Sequence, residues 1–204
     1  MLLLPTLFAA LAAAASTPKR ALVAKASTSN AVRLKARFNP SEEGLGGIDN
    51  MYVHSIHVGA GYDYASLNED NGLVFFKNAA FDDPTRDVLI NSWPPMMFNF
   101  KREKEDGGRQ IMITSSDVNY DVQIVNVDGS LSLGPATWAA CLDSPDEYPG
   151  QAYTMLKNFE DASRVPQNCA TVTLVPYCAE LPDFPQEATN AGLNFEPKEM
   201  ECYE

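Results

Sequence analysis

Between Ala31 and Pro176 the apolar residues fall at every second position or in brief continuous blocks, and clusters of Gly, Asp, Asn and Pro separate them. Period-two patterning with that punctuation predicts β-strands. The segments that fit are Val32 to Phe38, Met51 to Val58, Leu73 to Phe76, Val88 to Asn91, Arg109 to Thr114, Tyr120 to Val127, Ser130 to Leu133, Thr137 to Leu142 and Ala170 to Val175. The connectors are rich in turn formers, among them Glu43-Gly44-Leu45-Gly46-Gly47, Gly59-Ala60-Gly61, Asp70-Asn71-Gly72 and Asp106-Gly107-Gly108. Asp128-Gly129 between Val127 and Ser130 is the strongest two-residue hairpin signal. Gly59-Ala60-Gly61 superficially looks like a phosphate loop, but no helix follows it, so it reads as a turn needing positive φ.

Only Tyr153 to Ala162 offers a helix longer than two turns, through Tyr153, Leu156, Lys157 and Glu160. Short strands, Gly-rich turns and at most one short helix predict an all-β fold, an antiparallel β-sandwich or barrel. The charged run from Lys101 to Asp106 reads as a solvated hairpin tip. From Leu181 to Glu204 the composition turns to Pro, Glu and Asn, which predicts an irregular C-terminal tail.

The first residues carry a different pattern. Leu2 to Ala15 is apolar apart from Thr6 and interrupted by Pro5, and the polar run Ser16-Thr17-Pro18-Lys19-Arg20 follows it. A short h-region ending in the small residues Ala13 and Ala15 is the pattern of a cleavable secretory signal peptide, although no Lys or Arg follows Met1. The run falls short of the roughly 20 residues that cross a bilayer, so no membrane anchor is expected after cleavage. Lys19-Arg20 is a dibasic pair of the kind furin-like proteases cut. The expected organisation is therefore a signal peptide at 1–15, a propeptide at 16–20, a secreted β domain at 21–180 and a tail at 181–204.

Export changes how charge and cysteine content are read. Removing Lys19 and Arg20 from the 15 basic residues leaves 13 against 27 acidic ones, a net charge of −14 for the trimmed chain. Such a surface disfavours nucleic acid and anionic lipid. Cys141, Cys169, Cys178 and Cys202 are even in number, and two disulfides are expected in an exported chain. Of the three pairings, Cys141–Cys169 and Cys178–Cys202 close loops of moderate length and are favoured. Asn39 is followed by Pro40, so no usable N-x-S/T acceptor is present and no N-linked glycan is expected.

His54 and His57 are the only histidines. Residues three apart on a strand point to opposite faces, so the two do not chelate one ion. His57 precedes a turn that brings Asp63 within reach, and a His–Asp pair is the beginning of general-base chemistry as well as a common structural contact. No G-x-S-x-G elbow, H-E-x-x-H helix or G-x-G-x-x-G turn occurs, and neither metal nor cofactor is expected. The acidic residues hold no readable glycosidase pair. Trp93, Tyr62 and Tyr64 are the candidate surface aromatics, because rings flanking glycine turns can stack on sugar faces. Trp138, three residues before Cys141, is expected to pack on a disulfide.

Three strings carry a resemblance. Tyr52-Val53-His54-Ser55-Ile56-His57-Val58-Gly59-Ala60-Gly61, with Ala65 and Leu67, and then Trp138-Ala139-Ala140-Cys141 and Val165 to Pro176, resemble a family of small secreted fungal proteins of unknown function. The resemblance implies fungal secretion and a two-cysteine staple matching Cys141 and Cys169. It implies no activity. Members of that family carry further aromatics after the first cysteine, whereas this chain runs Cys141-Leu142-Asp143-Ser144-Pro145.

These readings converge on a monomeric, non-catalytic, effector-like domain that acts outside the cell by binding a host or surface protein. A module for cell-wall polysaccharide is the alternative, and a hydrolase built on His57 and Asp63 is the third. An exposed aromatic row would mark the second, and a cleft with a nucleophile beside His57 the third.

Overall fold

The computed structural model describes residues 25–38, 48–79, 89–92, 94–103, 106–115, 122–127, 130–134, 137–191 and 195–204. The leader, the Lys19-Arg20 pair, Trp93 and the Asp128-Gly129 turn lie outside the described residues. The first strands are β1 (Ala26–Ser29), β2 (Ala31–Phe38), β3 (Tyr52–Gly59), β4 (Tyr62–Asn68) and β5 (Phe75–Asn78). There follow β6 (Leu89–Ile90), β7 (Met97–Glu103), β8 (Arg109–Thr114), β9 (Gln123–Val127) and β10 (Ser130–Gly134). The last are β11 (Thr137–Asp143), β12 (Tyr153–Phe159), β13 (Cys169–Ala179), β14 (Pro197–Lys198) and β15 (Met200–Tyr203). Helical structure among the described residues is one 3-10 turn at Ala162–Arg164 and the five-residue α1 (Gln186–Asn190). None of it is long and apolar enough to cross a membrane.

Six strands close on themselves in the order β2, β3, β4, β12, β11, β13, and the eight-residue ladder between β13 and β2 seals the ring. Every neighbour in it is antiparallel. The expected antiparallel fold is therefore a barrel, which leaves its principal strands without bare edges. The β7–β8 hairpin joins where β8 meets both β4 and β12. Alternate residues point inward: Val32, Leu34 and Ala36 from β2, Ile111 and Ile113 from β8, and Val172 and Leu174 from β13. Trp138 fills the centre against Phe98 and Phe100 and donates its indole N–H to the Leu133 carbonyl at 2.8 Å.

Trp138 therefore does not pack on the disulfide. It is three residues from Cys141 on one strand, so the two face opposite sides of the wall. Cys141 pairs in register with Cys169 outside the barrel, where both pack with Ala139 and Phe159. The second disulfide, Cys178–Cys202, makes the two bridges those favoured by loop length.

Tyr153 to Ala162 is not a helix. Tyr153–Phe159 is β12, in register with all of β11. Its residues Met155, Leu156, Lys157, Asn158 and Phe159 are all buried, so both faces are covered and the alternation that announces a half-buried strand is lost.

The tail also carries more structure than its composition suggests. β15 pairs with β1 and touches β13, while β14 lies along β5. Phe184 and Phe195 stack with centroids 4.5 Å apart, and both set their faces or edges against buried Phe76. Two aromatic anchors and one disulfide therefore hold a segment whose Pro and Glu content predicted irregularity.

Candidate functional site

At one rim of the barrel β3 turns into β4 through Gly59-Ala60-Gly61. Gly61 adopts φ +85°, the left-handed region that glycine enters without cost. A side chain on Gly59 would meet the Tyr62 ring at 3.0 Å, so this glycine is what lets that ring lie over the turn. In the register of the two strands His57 sits directly opposite Asp63. Their contact is therefore a cross-strand pair, with Nδ1 of His57 2.9 Å from Oδ1 of Asp63. The imidazole is 74% exposed and the carboxyl 16%, so Asp63 fixes a ring that faces solvent.

His54 is part-buried, with Nδ1 3.0 Å from the carbonyl of Ser55. It lies three residues from His57 along β3, on the opposite face, as strand geometry requires. Among the described residues no group of three His, Cys, Asp or Glu side chains is gathered that could hold a metal.

Beside this rim the end of β11 and the segment following it cross the outer wall as a strap with three attachments. Asp143 reaches the ammonium of Lys157 at 2.7 Å. Glu147 accepts a hydrogen bond from the Tyr64 hydroxyl at 3.2 Å. Tyr148 donates its hydroxyl to the His57 carbonyl at 3.0 Å. Turns closed by Tyr148 N–H on Pro145 and Gln151 N–H on Tyr148 hold the strap's own shape.

Lys157 is the least expected residue of the group. Its side chain is only 2% exposed, and Asp106 and Asp143 each approach its Nζ at 2.7 Å. Burial opposes the charge on Lys157, but the hydrogen bonds and charges of the two carboxylates outweigh it and raise the ammonium above its ordinary range. Burial likewise opposes the charge on Asp106. The Lys157 and Gly108 hydrogen bonds and the Lys157 charge outweigh that and hold its carboxyl below the ordinary value of 3.8. Asp106 itself is exposed, yet its carboxylate turns back onto Lys157, and Lys104 and Glu105 before it lie outside the described residues. Lys101, from the same charged run, reaches the Tyr64 hydroxyl and stands 4.6 Å over that ring.

The three candidate aromatics fare differently. Tyr64 is completely buried. Burial, then the Glu147 charge and hydrogen bond, push its phenol above the ordinary tyrosine value. It cannot offer a ring to a sugar. Tyr62 is half-buried and meets Tyr64 edge-on at 6.3 Å. Trp93 lies outside the described residues. Tyr148, which sequence reasoning passed over, is 38% exposed. With Leu142 at 58% it makes up the exposed large hydrophobics among the described residues.

Chemically, the rim presents a fixed imidazole beside an exposed phenol ring. His57 has its ring contact to Asp63, and no serine, threonine or cysteine hydroxyl or thiol bonds to it among the described residues.

Residues 29–178 match the family model described as Domain of unknown function (DUF7907). Among curated proteins the chain is similar to the antigenic protein SchS34 of Stachybotrys chartarum, 28% identical over 182 residues that cover 81% of each chain. No solved structure matches.

Proposed function

The chain belongs to the family described as Domain of unknown function (DUF7907), and from that premise we propose that it is an exported fungal domain that acts by binding a surface protein, without catalysis. The relative's printed name, an antigenic protein of a fungus, supports a chain that meets other organisms' molecules. Two disulfides and the absence of free cysteines among the described residues support an oxidising compartment.

The observation that carries the binding reading is the rim itself. An imidazole fixed by Asp63 and the exposed ring of Tyr148 stand together with no nucleophile bonded to either. Tyrosine rings are common anchors of protein interfaces, where they contribute area at low entropic cost. Among the described residues the rim forms no exposed aromatic row of the kind a polysaccharide platform uses, since Tyr64 is buried.

The test is saturation binding of the labelled protein to intact animal, plant and fungal cells, before and after protease stripping of the surface. The reading expects saturable binding that protease abolishes and that Tyr148→Ala weakens at least tenfold. Binding that survives protease, or equal binding by Tyr148→Ala, would overturn it. A panel of hydrolase substrates completes the test, and turnover that disappears in His57→Ala would establish the enzyme instead.

A further inference from the structure

The outer wall on the far side of the ring carries a second constellation. In strand order the pair β13 and β2 stands opposite β4 and β12, which bear the strap. On β2 the core takes Val32, Leu34 and Ala36, so the alternate residues Arg33, Lys35 and Arg37 all face outward. Strand rise sets successive cations about 6.6 Å apart along one face. In register beside them on β13 lie Tyr177, Val175 and Thr173.

The cations are interleaved with tyrosines and not with acids. Lys35 Nζ lies 5.1 Å from the Tyr52 ring and 5.1 Å from the Tyr177 ring. The Arg37 guanidinium lies 5.5 Å over Tyr177 and also bonds the Tyr177 hydroxyl and the Asn50 side chain. Arg33 Nε is buried and has no hydrogen-bond partner. None of the three has a carboxylate within ion-pair distance among the described residues. Asp49, which lies one residue from Asn50, is turned to the Phe38 N–H and the Asn50 amide.

An uncompensated cationic stripe is unusual on a chain of net charge −12. Twenty-seven acidic residues are at hand, and yet three cations at consecutive outward positions are balanced by aromatic faces. A cation over a ring keeps its full charge, so it remains available to an incoming anion.

We propose that this face binds an anionic polysaccharide chain, one that carries carboxylate or sulfate groups on successive sugars. Charge complementarity requires the anion. The surroundings select its kind. Neither exposed large hydrophobic, Leu142 nor Tyr148, lies on β2 or β13, so the apolar centre of a protein interface is missing here. The acidic remainder of the surface repels broad, densely charged partners such as duplex nucleic acid or an anionic membrane. A single sugar chain touches only the stripe, where arginine forks take its anions and the tyrosine edges and hydroxyls take its ring faces and alcohols.

This site is independent of the rim, and its test leaves His57 and Tyr148 untouched. The full secreted protein is titrated with polygalacturonate and with heparin at low and at 0.5 M salt, alongside neutral β-glucan, duplex DNA and phosphatidylserine vesicles. The carboxylate and sulfate arms distinguish the two sources of the same chemistry. The proposal expects binding to at least one of the two anionic glycans at low salt, at least tenfold weaker at high salt, and none to the other three probes. Lys35→Gln/Arg37→Gln is expected to lose at least tenfold, and the charge-conserving Lys35→Arg to keep its affinity, with both variants melting as the parent does. Failure to bind either anionic glycan, unchanged affinity of the double variant, or equal binding to DNA or vesicles would overturn it.

Discussion

Lys157 offers the sharpest stability prediction, because a buried ammonium with two carboxylates at 2.7 Å can be unbalanced from either side. Asp106→Asn/Asp143→Asn leaves the ammonium 2% exposed with no counter-charge. Removing the partner of a buried charge costs about 3–5 kcal/mol, and each kcal/mol lowers Tm by about 2–4 °C in a domain of this size. The double variant is therefore expected to melt roughly 6–20 °C below the parent at pH 7, with disulfides intact. Adding Lys157→Met to the same variant removes the stranded charge and fits a side chain of similar length. The triple variant is expected to recover at least half of the loss, since an apolar replacement of a whole buried ion pair is often near neutral. The pH profile follows from the direction of the Asp106 shift. Its folded value lies below the ordinary 3.8, so the pair's stabilisation is present above that pH and is lost as pH falls through the folded value. The Lys157 shift is upward, so its share persists below the ordinary 10.5 and fades only above it. The parent's Tm should fall more steeply than the double variant's below about pH 4. A double variant within 2 °C of the parent, or a triple variant no better than the double, would refute the reasoning.

Cys178→Ser/Cys202→Ser opens a loop of sequence separation 24 and is expected to cost about 3.5 kcal/mol, read from non-reducing urea unfolding. Phe195→Ala removes a ring stacked on Phe184 and edge-on to Phe76; it should cost about 2 kcal/mol and expose the segment after Leu181 to limited proteolysis. His57→Ala, by contrast, removes a 74% exposed ring and is expected to change unfolding free energy by less than about 0.5 kcal/mol, which a urea titration resolves.

Where one face of a strand meets the core and the other meets solvent, the sequence pattern was readable. The alternation in Val32 to Phe38 predicted β2 almost to the residue. It was unreadable where both faces are covered. β12 is buried inside by the core and outside by the strap and the β7–β8 tip, so Lys157 looked like the polar face of a helix. β4 escaped notice because Asp63, Ser66 and Asn68 break its apolar run. Of the rim, the proximity of His57 to Asp63 was legible from one glycine turn. Tyr148 was not, because its place there depends on a long-range contact with the His57 carbonyl that no local pattern encodes.

The binding account meets its most direct test in saturation binding of the labelled parent and its Tyr148→Ala variant to protease-treated and untreated cells. It predicts a saturable, protease-sensitive signal for the parent and at least a tenfold weaker one for the variant. Superimposable curves for the two proteins, or a signal that protease leaves intact, would contradict it.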